Sequence, residues 1–225
     1  MMTQATTDQA DFGKMRDAMV ASQLRTNAVS DTRVVAAMAR VPRERFLPDD
    51  VRGLAYRDTA VPVAHGRAVN LPIAIGKLLT RAEIRATDRV LLIGAAGGYT
   101  AAVLALLAAK VVAVESDPAL LAIARPALAD DAAVDLVEGD LTAGWPDQAP
   151  YDRLVVDGAV EHLPDALIEQ VRPGGRVVTG LVDRGVTRLA SGVRSSGGFG
   201  LAAFADVDCV VLPGFARPRA FTFQP

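Results

Sequence analysis

Apolar runs separated by turn-rich breaks organise the second half of the chain. Val90, Leu91, Leu92 and Ile93 form a short apolar run, the pattern of a strand buried on both faces. Gly94, Gly97 and Gly98 follow and predict a turn through which backbone can approach a ligand. Residues 100–109 are almost all Ala, Leu and Val and predict a helix. A second apolar run, 111–114, closes on Glu115. Strand, glycine turn, helix, strand and terminal acid form the first βαβ unit of an α/β fold with a doubly wound, mostly parallel sheet. Ser116, Asp117 and Pro118 then signal a helix start, and that helix should reach residue 129. Runs at 134–137, 151–156 and 176–182 predict three further strands, the middle one ending at Asp157. Pro164 should open a short helix, and Pro173, Gly174 and Gly175 a tight turn. Residues 186–193 and 199–212 alternate, and the Ser195 to Gly198 link between them reads as a β-hairpin turn.

Upstream the pattern is helical. Phe12, Met15, Met19 and Val20 recur at helical spacing across residues 11–25, after a polar tail at 1–10. Ser30 is a candidate cap for a second helix at 31–40, which Pro42 stops. Residues 41–48 read as an irregular charged connector, 55–62 as extended, 65–72 as a polar loop, and 73–84 as a helix. The division expected is a tail at 1–10, a helical cap with a loop at 11–88, and the α/β core at 89–225.

Composition narrows the function. The 225 residues are 51% hydrophobic, which supports a true core. The formal net charge is −2 and no basic block stands out, which argues against nucleic acid as partner. The single cysteine, Cys209, cannot form an internal disulfide, and no cluster has metal-ligand spacing. The N-terminal residues lack an apolar signal region, and the longest apolar stretch is too short for a bilayer, so a soluble cytoplasmic protein with no membrane partner is the expectation.

The turn at Gly94 lacks the G-x-G-x-x-G spacing that seats a pyrophosphate. A phosphate-free nucleoside ligand such as S-adenosylmethionine suits it better. Glu115 could then accept from both ribose hydroxyls. Asp140 follows the third strand at the same sheet edge, where it could accept from the adenine amino group or serve as a turn residue. Asp157 could touch ligand or cap a turn. His65 is a candidate catalytic group in the polar loop or a structural one, and Arg67 reads as a solvated charge or an attractor of an anionic acceptor.

These residues resemble the protein-L-isoaspartate O-methyltransferases over nearly the whole chain. The likeness includes Met19, Val20, Gln23 and Leu24, then Val41 through Phe46, Ala55 through Asp58, and the loop 65–72. It is closest at Ile93 to Tyr99, Val114 and Glu115, Gly139 and Asp140, Gly144 to Pro146, Tyr151 and Asp152, and Pro173 to Gly175. The resemblance implies a Rossmann-like sheet that binds S-adenosylmethionine. It also implies methylation of the carboxylate formed when Asn or Asp isomerises, with a peptide or protein as acceptor, in protein repair. The cofactor-binding residues expected are Gly94, Ala95, Ala96, Gly98, Glu115, Ser116, Asp140, Leu141 and Asp157, and the catalytic candidates are Asn70, at the position of the family's serine, and His65. The chain departs from the family pattern at Leu92, which replaces an acid, and at Ala96, which replaces glycine. Ala68 and Asn70 stand where the family has threonine and serine. These four departures motivate an alternative, a fold-retaining homologue that serves as a binding or scaffold protein, or a methyltransferase with another acceptor.

Overall fold

The computed structural model describes residues 2–217, with side chains from residue 11. Helix α1 (Met2–Met19) passes into a π-helical turn at Val20–Leu24 and a 3₁₀ turn at Arg25–Asn27. It thus starts earlier than the apolar pattern indicates, within the stretch expected as a tail. Helix α2 (Thr32–Arg40) is capped by Asp31, whose carboxylate accepts from the Arg33 N–H at 2.9 Å. Asp31 therefore does the work expected of Ser30. The connector folds into 3₁₀ turns at Arg43–Phe46 and Asp49–Leu54. The extended stretch shrinks to β1 (Val61–Pro62), which pairs antiparallel with β2 (Ala68–Val69). Helix α3 (Pro72–Ala82) starts on a proline at its first position, where the missing N–H costs nothing.

The core follows as β3 (Arg89–Ile93), α4 (Tyr99–Ala105), β4 (Lys110–Glu115), α5 (Pro118–Ala127), β5 (Val134–Glu138), β6 (Tyr151–Val160), α6 (Asp165–Ile168), β7 (Val171–Asp183), β8 (Val186–Val193) and β9 (Ala202–Ala205). The seven strands lie in the order β5-β4-β3-β6-β7-β8-β9. Pairings from β5 to β7 are parallel, and β8 and β9 add antiparallel. The order reverses between β3 and β6, and this switch point opens the crevice at the carboxyl edge where such sheets bind ligands.

Period-two alternation divides the core. On β3, Val90 and Leu92 join the cluster that includes Met19, Leu24, Met38 and Phe46 of the cap. Leu91 and Ile93 join the opposite cluster with Val112, Leu154, Leu212 and Phe215. Arg153 ties cap to sheet. Its buried guanidinium donates to the carbonyls of Ala82 and Glu83 at the end of α3 and pairs with Asp88 at 3.2 Å.

Three expected strand limits are corrected, the first being the alternating stretch 199–212, which is strand only at β9 (Ala202–Ala205). Strand β6 runs on to Val160, and Asp157 lies in a register shift between Val155 and Ala159 rather than at the strand end. Strand β7 starts at Val171, so Pro173, Gly174 and Gly175 form a bulge within it rather than a turn before it. Bulges keep strand-like dihedrals on both sides, so local turn residues alone cannot distinguish them from a loop.

Candidate active site

The turn after β3 folds back on β4. The Gly94 and Ala95 N–H groups both donate to the Val114 carbonyl, at 3.0 and 3.1 Å. Ala96 is in the left-handed region with φ 47. Its N–H donates to Glu115 Oε2 at 2.7 Å. Glu115 Oε1 accepts from the Ser116 and Asp117 N–H groups at 2.8 and 3.1 Å. The carboxylate at the end of β4 is thus set in a nest of backbone donors and is fully buried.

Its remaining capacity is taken by Arg67. Nη1 donates to Oε1 at 2.8 Å and Nη2 to Oε2 at 3.0 Å, a bidentate fork with both partners buried. Arg67 is therefore not the solvated charge that its loop context implies. It hangs from the tight turn joining β1 and β2, where His65 and Gly66 have φ 48 and 75. Positive φ at both central residues is what a two-residue hairpin turn of the right twist requires. The Val63 N–H donates to the Arg67 carbonyl and the Arg67 N–H to the Ala64 carbonyl, closing the turn. His65 is exposed, with Nδ1 2.8 Å from Asp117 Oδ2. It holds the hairpin tip to the start of α5 and does not line the cavity beside Asn70.

At the switch point Asn70, Thr100 and Asp157 come together. The Asn70 amide donates to Asp157 Oδ1 at 2.7 Å, and its carbonyl oxygen accepts from the Val210 N–H at 2.8 Å. Thr100 Oγ1 donates to Asp157 Oδ2. Burial raises the pKa of the Asp157 carboxyl, opposed by these two hydrogen bonds and by the nearby positive charges of Arg43 and Arg67. Arg43 is fully buried, lies 4.8 Å over the Tyr99 ring, and donates to the Asn70 carbonyl. Its Nε and Nη1, and the Tyr99 hydroxyl, have no hydrogen-bond partner among the described residues. Burial raises the Tyr99 pKa to about 12, so its hydroxyl stays neutral. Burial also pushes the Cys209 thiol up, to about 12, which favours the neutral thiol.

The remaining candidates lie around this centre. Ser116 and Asp140 are exposed, and Leu141 is buried in the core on the far face. Asp140 accepts from the N–H and hydroxyl of Thr142, closing its own turn. Leu92 is fully buried in apolar surroundings and offers no acid to a ligand. Sequence reasoning missed Arg43, Thr100 and Leu212. Each is recruited by tertiary contact, and no local periodicity marks them.

The crevice is closed. The void lined by Arg43, Phe46, Val69, Ala96, Tyr99 and Asp157 measures about 10 Å³, about one water molecule. A Cβ on Gly97 would lie 2.1 Å from the Phe46 carbonyl oxygen, so the cap backbone rests directly on the turn. Leu212 fills the floor, within 3.0 Å of where a Cβ on Gly94 would be and 2.3 Å of one on Gly158.

The family model described as Protein-L-isoaspartate(D-aspartate) O-methyltransferase (PCMT) matches residues 14–203. The chain belongs to this family. It is 40% identical over 192 residues to Protein-L-isoaspartate O-methyltransferase 1 of Rhodopseudomonas palustris, covering 84% of this chain and 78% of that protein. It is also 40% identical over 184 residues to Protein-L-isoaspartate O-methyltransferase of Methanoculleus marisnigri, covering 81% and 84%. Among solved structures, a protein-L-isoaspartate O-methyltransferase superposes with TM-score 0.77 at 23% identity, over 88% of this chain and 66% of that one. A putative member from Plasmodium falciparum, in complex with S-adenosyl-L-homocysteine, superposes with TM-score 0.75 at 16% identity, over 88% and 97%. At such identities the two structures speak to the fold alone. The family match therefore agrees with the likeness seen in the sequence, and the superpositions with the Rossmann-like sheet.

One consequence of the Asn70 geometry is testable by melting. Asn70→Ala leaves the Val210 N–H and one Asp157 oxygen unpaired in a buried site. The expected loss is about 2 kcal/mol, read as a lower transition midpoint in urea with an unchanged slope.

Proposed function

We infer that this chain is an S-adenosylmethionine-dependent carboxyl O-methyltransferase acting on L-isoaspartyl residues of damaged proteins. The family match carries the reading, and the observation that supports it at the site is Glu115, a carboxylate terminating β4 beside a turn of small residues. The donor set suits an adenosine. Glu115 is of the right charge and place to hold ribose hydroxyls, and Asp140 lies past the strand paired beside it. The space is another matter, since Arg67 occupies the face of Glu115 that a ribose would use.

When bound, S-adenosylmethionine supplies an electrophilic methyl group on a sulfonium sulfur. The acceptor carboxylate, with an ordinary pKa of about 4, is ionised at neutral pH and needs no general base. What this chain provides is position and dryness. Asn70, fixed by Asp157 and Val210, holds the loop after β2 against the switch point. Phe46 and Val69 line the crevice with apolar surface that excludes water, and Leu212 packs behind the turn at Gly94. Arg43 places a buried positive charge beside Asn70, where an anionic acceptor would be drawn.

Methyl transfer to a peptide containing isoaspartate, compared with its aspartate counterpart, tests this. The expected result is labelling of the first at least tenfold above the second. Equal background labelling of both removes the isoaspartate claim. Among the described residues no helix is long and apolar enough to cross a membrane, and no cluster of His, Cys, Asp or Glu could hold a metal. We further propose repair of cytoplasmic proteins as the setting.

A further inference from the structure

We propose that Arg67 competes with the cofactor ribose for Glu115, so that S-adenosylmethionine enters only as the tip of the β1–β2 hairpin lets go. The inference rests on the methyltransferase reading and concerns what sets affinity at that same site.

Counting donors gives the first argument. Glu115 receives five, namely the two Arg67 N–H groups and the backbone N–H groups of Ala96, Ser116 and Asp117. A carboxylate offers about four lone-pair positions. None is left for a hydroxyl. The backbone donors are fixed by the turn and by the start of α5. Only the guanidinium, on a long side chain from a short hairpin, can leave.

Volume gives the second. The void between the glycine turn and the Arg43–Phe46 turn, bordered by Ala95, Ala96 and Asp157 on the acceptor side of Glu115, holds about 10 Å³, far below the hundreds of Å³ of a small-molecule site. Ligand entry therefore requires displacement of protein atoms. The β1–β2 hairpin is joined by two residue pairs, Val61 with Val69 and Pro62 with Ala68. Val61 and Val69 root the hairpin's strands in the cap core as firmly as Phe46 roots its turn, so it is the tip, His65 to Arg67, that is free to move.

Mechanics gives the third. The hairpin is anchored at its base, where Asn70 engages Asp157 and Val210. At its tip two contacts hold it, Arg67 on Glu115 and the exposed His65 on Asp117. The acceptor-side Asn70 and the cofactor-side Arg67 are thus three residues apart on one loop. Release at the tip leaves the base in place, and the acceptor side stays formed while the cofactor side opens.

The test is titration calorimetry of the full chain with S-adenosylhomocysteine, the demethylated cofactor, alongside the melting temperature of each protein without ligand. Arg67→Gln should bind at least tenfold more tightly than wild type while melting at a lower temperature. Those opposite signs distinguish competition from general damage, which weakens both. Should Arg67→Gln fail to fold, His65→Ala frees the tip from the outside and should tighten binding two- to threefold. Equal or weaker binding by the variant that folds overturns the competition and leaves the methyltransferase reading intact. No heat from wild type or variant at millimolar ligand overturns both. A crystal structure with S-adenosylhomocysteine should show Arg67 off Glu115. A bound ligand with that ion pair still closed overturns the proposal.

Discussion

Glu115→Ala is expected to lower the melting temperature by roughly 10 °C, and to weaken S-adenosylhomocysteine binding tenfold or more. The substitution orphans a buried guanidinium and three backbone N–H groups at once. Removing one partner of a buried ion pair costs about 3–5 kcal/mol because the other charge stays in a medium that solvates it poorly. For a chain of this size each kcal/mol moves the melting temperature by about 2–4 °C. The pair itself is a weaker stabiliser than that loss implies, since bringing both charges out of water offsets most of their attraction. A double-mutant cycle separates the two. Glu115→Ala combined with Arg67→Ala should cost clearly less than the sum of the singles. Additivity within about 0.5 kcal/mol would mean that the fork contributes nothing beyond its separate halves.

Gly97→Ala is expected to be among the most damaging small changes in the protein. The added carbon would meet the Phe46 carbonyl oxygen at 2.1 Å, a backbone atom with no flexible side-chain tip free to yield. Either the turn after β3 or the Arg43–Phe46 segment must withdraw. That separation exposes Phe46 and Tyr99, whose rings meet edge to face at 5.9 Å. Overpacking of this kind costs about 1–3 kcal/mol when side chains can adjust, and the upper end or beyond is expected where they cannot. Gly53→Ala is the internal control. Nothing lies within 4 Å of a Cβ there, and its melting temperature should match wild type. A Gly97→Ala protein that melts with the control would show that the cap does not press on the turn.

The central parallel strands β3 and β4 were readable because they are buried on both faces and so appear as unbroken apolar runs. Strand β8 was found at its limits, Val186 and Val193, between the turn at Arg184 and Gly185 and the Ser195 to Gly198 link. Glu115 was legible for a related reason, as an acid placed directly after such a run. The charged side chains were not. Arg43 and Arg67 sit among polar and turn-forming neighbours, and local context marks both for solvent. Their burial depends on partners far along the chain, Asn70 for one and Glu115, 48 positions away, for the other. A single sequence has no periodicity for such pairings. Asp157 shows the same limit in another form. Its apolar run was clear, yet the bulge that turns its carboxylate toward Asn70 and Thr100 is set by how β6 registers with β7.

Leu212 connects the site to the order in which the chain is made. The Ala159 N–H donates to the Val210 carbonyl and the Leu212 N–H to the Ala159 carbonyl, so this late segment is laid along β6 beneath Gly94 and Gly158. During synthesis every strand of the sheet emerges before Leu212 does. A nascent chain can therefore pair its strands while the space beneath Gly94 and Gly158 is still unfilled, and closure of the sheet's carboxyl edge by Leu212 comes after acquisition of the fold.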